Sequence, residues 1–516
     1  MRFPIALLLS VSMTACANGP LMIGGQTSAP AVANTGDLWF DGAQTTLAQR
    51  KGVKPITGKA KNVILFIADG MDPTTVAAAR IYDGQSRGEE GEENLLFFER
   101  FPHLAMSKTY NTDMQVPDSA GTASAMMTGY KTRVGHISVK KEVPRSDCEA
   151  SINAHAPTIL EIAEQKGLST GVVSTARLTH ATPAATYAHV PDRDWESDSN
   201  LPEGAYELGC RDIASQLIDF PYGDGVDIAL GGGRGPFMTR DTTDPEDENR
   251  MGWRKDGRNL TAEWVAKSDH HSFVWNKEQF DAIDPATDPR VLGLFENSHM
   301  EFEADRANDK AGEPSLEEMT RKAIEVLSRN ENGFVLMVEG GKVDHAHHAG
   351  NAARALIDAQ EYAQAVAAAR EMTNERDTLI IVTADHGHTL TFAGYPGKGN
   401  DILGLVRYVS DEGESKLMLG EDGKPYTTLG YANGPGSVFK KGVDLKTRPI
   451  GSEEEVKALD YLQPALVPTG GETHGGQDVT IYASGPDAYL FTGVVEQNYI
   501  FHVMMDALRI NPQPGE

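Results

Sequence analysis

Phe334-Val-Leu-Met-Val-Glu339-Gly-Gly-Lys-Val-Asp344-His-Ala-His-His348 is the stretch on which the fold turns. Its first five residues form an unbroken apolar run, the pattern of a strand covered on both faces. A carboxylate and two glycines follow at once. Beyond them, on a helix starting near Val343, Asp344 and His348 stand four positions apart and face the same way. Two other runs read alike: Val63–Ile67 leads into Asp69-Gly70, and Thr378–Val382 into Asp385-His386-Gly387-His388. Gly171–Ser174, Val226–Leu230 and Val479–Tyr482 are further apolar runs. The intervening Thr158–Gln165, Ser315–Ser328 and Ala352–Arg370 carry helical periodicity, the first two introduced by Pro157 and by Pro314-Ser315. Strands alternating with helices predict an α/β fold, a mostly parallel central sheet with helices on both faces. In such sheets ligands bind beyond the carboxyl ends of the strands, so three acidic strand ends point to one crevice.

The alternation occupies 61–394 and resumes at 474–510. Between them, residues 395–473 carry Gly397, Gly399, Gly404, Gly420, Gly423, Gly430, Gly434 and Gly436 without long helical patterns, which reads as an inserted, loop-rich subdomain. At the start, Arg2 precedes a short apolar run ending in Met13-Thr14-Ala15-Cys16. Residues 1–15 therefore read as an export signal, with cleavage either before a lipidated Cys16 or at an ordinary site nearby. Residues 16–60 then hold a Gly/Pro-containing tether and a helix near Asp37–Arg50. The chain is expected to be exported, periplasmic or lipid-tethered to a bacterial envelope. An oxidising compartment lets Cys148 and Cys210 pair, the alternative being two buried thiols.

The 516 residues include 47 Lys+Arg and 74 Asp+Glu, a formal charge of −27, with 40% hydrophobic residues. This composition is globular and excludes disorder and collagen. Its acidity argues against nucleic-acid binding, because the mean field repels a polyanion. An anionic substrate would need a local source of positive charge, and bound metal ions are one candidate.

Six potential ligands or polar groups fall within Glu339–His348, and Asp-His recurs at Asp385-His386, with His474 further on. Oxygen and imidazole donors without thiolates suit zinc, and all-oxygen sets suit magnesium. A hydrated surface histidine cluster would not explain the recurrence. In Pro117-Asp118-Ser119-Ala120, Asp118 is a good N-cap, which puts Ser119 in a first helical turn where unpaired N–H groups favour an anion. Such a serine is otherwise a cap or a packing residue. With no adjacent base motif, a metal is its expected activator.

Asp69-Gly-Met, Pro-Asp118-Ser119-Ala120, Thr179-His180-Ala-Thr182-Pro-Ala, Asp192-Arg193-Asp-Trp195, the Glu339–His348 run, Thr383-Ala-Asp385-His386 and Glu472-Thr-His474-Gly-Gly together resemble, in order, the motifs of the alkaline phosphatase family. His180, where the enteric-bacterial branch has Asp, and the two cysteines place the resemblance closer to the animal-type branch. It implies a phosphomonoesterase with two Zn2+ and one Mg2+, acting on small phosphate monoesters as a homodimer, with 395–473 as a crown-like insert. Asp344, His348 and His474 would hold the first zinc, Asp69, Asp385 and His386 the second, and Asp69, Thr182 and Glu339 the magnesium. Ser119 would be the nucleophile, passing through a phosphoserine, and Arg193 the clamp on two phosphate oxygens. For Arg193 the alternative is a surface ion pair with Asp192 or Asp194. His180, His345, His347 and His388 would support the ligands through hydrogen bonds.

The resemblance extends to a Ca2+ site of animal-type members, with Glu246, the Phe295 carbonyl and Glu296 at matching places and Glu313 where Asp is expected. Acidic residues in an acidic chain are otherwise simply solvated. Two other functions compete: a phosphodiesterase or sulfatase on the same metal framework, and an exported protein that binds zinc or phosphate without catalysis.

Overall fold

The computed structural model describes residues 35–439 and 448–510. The signal segment 1–15 and Cys16 lie outside the described residues. Residues up to Lys54 form a unit of their own. It holds the helix Leu38–Gly52, capped by Asp37, whose carboxylate accepts from the Phe40 amide, and buries none of its residues. No described helix is long and apolar enough to cross a membrane.

The larger unit, from Pro55, is organised by a ten-stranded sheet. Its first eight strands in chain order are β1 (Asn62–Ala68), β2 (His103–Lys108), β3 (Ser169–Arg177), β4 (Ile228–Gly232), β5 (His271–Val274), β6 (Arg290–Leu294), β7 (Phe334–Gly340) and β8 (Thr378–Thr383). Seven lie side by side and parallel in the order β8, β1, β7, β3, β4, β6, β5. Val479–Ser484 is antiparallel to both β8 and β2, and Val494–Glu496 closes that edge parallel to β2. The sheet is thus mostly parallel, as the unbroken apolar runs predict.

Those runs are continuous because successive side chains enter two different cores. Val63, Leu65 and Ile67 of β1 join Val335, Met337, Leu379 and Ile381 on one face. Ile64, Phe66 and Ala68 join Leu336, Val338, Ile380 and Val382 on the other. The first face is covered by the helices Ser119–Thr128, Ile159–Gln165 and Tyr499–Ala507, the second by Pro73–Ser86, Leu316–Leu327 and Ala352–Met372. Two of these helices start where the sequence signals it: Thr158 with Glu161, and Ser315 with Glu318, form reciprocal capping boxes.

After β8 the chain leaves the large sheet for three small ones. Leu390–Phe392, Leu429–Gly434 and Ala465–Pro468 form one, and Arg407–Val409 with Ser415–Leu417 another. Apart from Leu390–Phe392, which precedes it, these strands fall within the loop-rich insert. The third pairs Gly387–His388 antiparallel with His474–Gly475, and it returns His474 to the end of β8 after a long excursion. Cys148 and Cys210 are joined in a disulfide, so of the two alternatives for these cysteines the pair is the one formed.

Candidate metal centre and nucleophile

Beyond the carboxyl ends of β1, β7 and β8, the acidic strand ends converge. Asp69, Asp385 and Glu339 are fully buried there. Gly70, at φ +77°, turns the chain sharply after β1; a Cβ at this position would lie 2.4 Å from the His388 ring, so only glycine fits.

One group gathers Asp344, His348 and His474. His348 Nε2 and His474 Nε2 lie 3.3 and 3.4 Å from Asp344 Oδ1, and 3.0 Å from each other. Each ring donates its Nδ1–H to a backbone carbonyl, His348 to Glu472 at 2.6 Å and His474 to Pro117 at 2.8 Å. That leaves the lone pairs on the two Nε2 atoms aimed at one point, an arrangement that a cation between them satisfies. The same helical face that sets Asp344 against His348 runs from Lys342 to His348.

A second group gathers Asp69, Asp385 and His386 around Ser119. His386 Nε2 is 3.2 Å from Asp69 Oδ1, 3.3 Å from Asp385 Oδ2 and 3.1 Å from Ser119 Oγ. Ser119 Oγ is also 3.4 Å from Asp69 Oδ2. Ser119 opens the helix Ser119–Thr128, whose N-cap Asp118 accepts from the Gly121 amide. Burial and then repulsion from Asp344, Asp385 and Glu339 push the Asp69 carboxyl well up. Burial raises Asp385 as well, and drives the His386 imidazole well down. Crowded carboxylates beside a neutral imidazole are the donor set of a divalent cation.

The third group has orphaned atoms. Thr182 Oγ1 and Glu339 Oε1 are buried without a hydrogen-bond partner, while Glu339 Oε2 accepts from Ser174. Burial pushes the Glu339 carboxyl up to about 8. Unpaired buried oxygens of a hydroxyl and a carboxylate, beside Asp69, fit a hard cation.

Arg193 Nη1 donates to Asp118 Oδ2 at 3.2 Å, and its Nη2 lies 3.1 Å from His180 Nε2. Asp192 and Asp194 are engaged by Arg145 instead, which removes the surface-pair alternative. Among the other histidines, His388 bridges Asp344 at 2.8 Å and Glu472 at 2.6 Å. Burial opposes its protonation, yet these two carboxylates raise it to about 10. His347 is held between Thr75 Oγ1 at 3.1 Å and Tyr431 Oη at 2.9 Å. His345 packs instead against His180 and His299.

The carboxylates among the candidate calcium donors, Glu246, Glu296 and Glu313, lie near enough for Glu246 to repel Glu296 and for Glu296 to repel Glu313. Glu246 and Glu296 line one open cavity, and Asp309, absent from the sequence reading, lines it with them. Burial followed by Glu246 pushes Glu296 and Asp309 each up to about 7. Glu313 lines a neighbouring cavity with Asp358 and Glu361, yet burial followed by repulsion from Glu296 and Asp309 pushes its carboxyl up to about 9, and its Oε2 is buried without a hydrogen-bond partner. Sequence reasoning also gave no role to Glu472, which holds His388 through its side chain and His348 through its carbonyl. Its place two residues before His474 was the available signal.

An α/β sheet that gathers buried carboxylates, imidazoles and a helix-start serine beyond its carboxyl edge defines a metalloenzyme for an anionic substrate. Residues 60–510 match the family model described as alkaline phosphatase. The chain is 43% identical over 473 residues to the alkaline phosphatase of Gadus morhua, covering 90% of this chain and 96% of that one. It is 44% identical over 478 residues to the tissue-nonspecific isozyme of Mus musculus, covering 90% and 87%. The Thermus thermophilus alkaline phosphatase structure shares the fold, with a TM-score of 0.61 at 22% identity over 89% of this chain and 93% of that one. The chain belongs to the alkaline phosphatase family, and with 43–44% identity to animal enzymes it resembles the animal-type branch. It is a metal-dependent phosphomonoesterase.

Proposed function

We propose that the chain hydrolyses small phosphate monoesters through a phosphoserine on Ser119. Asp344, His348 and His474 would hold one zinc ion, Asp69, Asp385 and His386 a second, and Asp69, Thr182 and Glu339 a magnesium ion. When bound, these ions supply the positive charge that lowers the Ser119 hydroxyl pKa and stabilises the attacking and leaving oxygens of an in-line displacement. The observation that carries the reading is the position of Ser119 Oγ, 3.1 Å from His386 Nε2 and 3.4 Å from Asp69 Oδ2 at a helix start.

Arg193 binds two non-bridging phosphate oxygens with its planar fork, aligned by Asp118 and His180. Asp118 caps the Ser119 helix as well, so one carboxylate orients both clamp and nucleophile. Ser119 Oγ attacks phosphorus and the alcohol departs; water then enters from the vacated side and releases inorganic phosphate. His474 is tied to the segment that leads into Ser119, because its Nδ1–H is bonded to the Pro117 carbonyl. The catalytic domain comprises 61–394 and 474–510, with 395–473 as the crown-like insert; the protein is exported, either periplasmic or tethered through Cys16, and dimeric. Glu246, the Phe295 carbonyl, Glu296 and Glu313 would hold a calcium ion, with Asp309 beside them.

Turnover of p-nitrophenyl phosphate by purified protein separates this reading from that of a non-catalytic binder. Ser119→Ala is expected to keep its metal content and lose most turnover. Wild-type-like turnover in that variant would sink the assignment.

A further inference from the structure

We propose that His180, His299 and His345 form a further binding site for a borderline dication of the zinc class, additional to the ions assigned above. The three residues follow three different strands, His180 after β3, His299 in the loop after β6 and His345 in the helix Lys342–His348 after β7, yet their ligand atoms all lie within 4.8 Å of one another. The rings meet edge to face, with centroids 4.2 Å apart for His299 and His345 and 5.2 Å for His180 and His299. All three residues are partly exposed, although His180 Nδ1 itself is buried.

Two of the rings have donor capacity that the protein does not use well. His180 Nδ1 is buried without a hydrogen-bond partner. His299 receives N–H donors at both nitrogens, the Arg177 amide 3.1 Å from Nδ1 and Arg177 Nη1 2.6 Å from Nε2. A neutral imidazole has one acceptor nitrogen, so one of these contacts sets donor against donor. Arg177 can release it at little cost, because its Nε and Nη2 remain bidentate on Glu196 at 2.7 and 2.6 Å. Three nitrogens with no carboxylate select zinc-class ions over magnesium or calcium. Although His180 also lies beside the Asp69 and Glu339 carboxylates, three neutral ligands leave the ion's fourth position open to an anion. Arg193, in contact with His180, makes phosphate the fitting one.

The test uses holoenzyme saturated with magnesium and dialysed against increasing free zinc, with both metals counted per chain. Wild type is expected to take up one more zinc than His299→Ala or His299→Asn, retaining its magnesium, while Thr182→Val keeps the extra zinc. Activity without added zinc is expected to be the same in wild type and both His299 variants. Equal zinc in wild type and the His299 variants would overturn the site. So would an extra zinc lost in Thr182→Val and kept without His299, since that ion occupies the magnesium position. Independently of any variant, zinc-edge anomalous scattering from wild-type crystals should place a peak between the three rings, and its absence would overturn the proposal.

Discussion

Glu164 should weaken the fold as pH rises, although it lies outside the metal centre. It is 4% exposed near the end of the helix Ile159–Gln165, where Thr170 Oγ1 donates to its Oε1 at 2.6 Å. Arg290 pairs with Asp224 and Asp227, leaving Glu164 only a share of one guanidinium. Burial, then repulsion from Asp227 and Asp224, push its carboxyl from 4.5 up to about 8. Below the unfolded value both states are protonated and stability is intact. As pH rises toward the folded value, the unfolded chain has already released its proton and stability is lost. The 3.5-unit difference (8 − 4.5) corresponds to on the order of 5 kcal/mol. About 3 kcal/mol of this falls between about pH 6 and about pH 10. At roughly 2 cal/mol/K per residue over about 450 residues, that is about 3 °C in melting temperature. Glu164→Gln keeps the acceptor for Thr170 and removes the charge. Thermal unfolding of metal-saturated wild type and variant, followed by circular dichroism, should show the variant gaining about 3 °C on wild type between these pH values. A difference that does not change with pH would refute the reasoning.

Thr182→Val is expected to lower activity and abolish stimulation by magnesium while two zinc ions remain, and His180→Asp to tighten magnesium binding. Activity against magnesium concentration after chelation and zinc reconstitution checks both, and superimposable curves would reject them. Arg193→Lys loses the planar fork and should reduce kcat/KM roughly 10- to 100-fold, the loss of one charge-assisted hydrogen bond. An unchanged value in steady-state assays would remove Arg193 from the clamp. Cys148 and Cys210 are 62 residues apart, so reduction should cost about 4 kcal/mol of stability. Urea unfolding with and without reductant measures it, and coincident midpoints would contradict a stabilising bridge.

What could be read from the sequence divides along a physical line. β1, β7 and β8 were legible because each is buried on both faces and therefore writes an unbroken apolar run. β2 was not: its exposure alternates along the strand, and its sequence His103–Lys108 mixes polar and apolar residues. β5 and β6 lie at the far edge of the sheet and are four and five residues long, too short for a period to emerge. The candidate ligands within the local runs, Asp69, Glu339, Asp344, His348, Asp385 and His386, could be singled out because strand ends and helix spacing are local properties. Asp309 and His299 were hidden because their partners are assembled only by the fold. His299 meets His180 and His345 across loops from three strands, a contact no spacing records. Asp118 shows the same limit from the other side. A cap is legible from the pattern Asp118-Ser119, but the Arg193 guanidinium on its second oxygen comes from 75 residues away. Replacing Asp118 by Ser would therefore preserve the cap and release the clamp, separating what the local pattern encodes from what only the fold supplies.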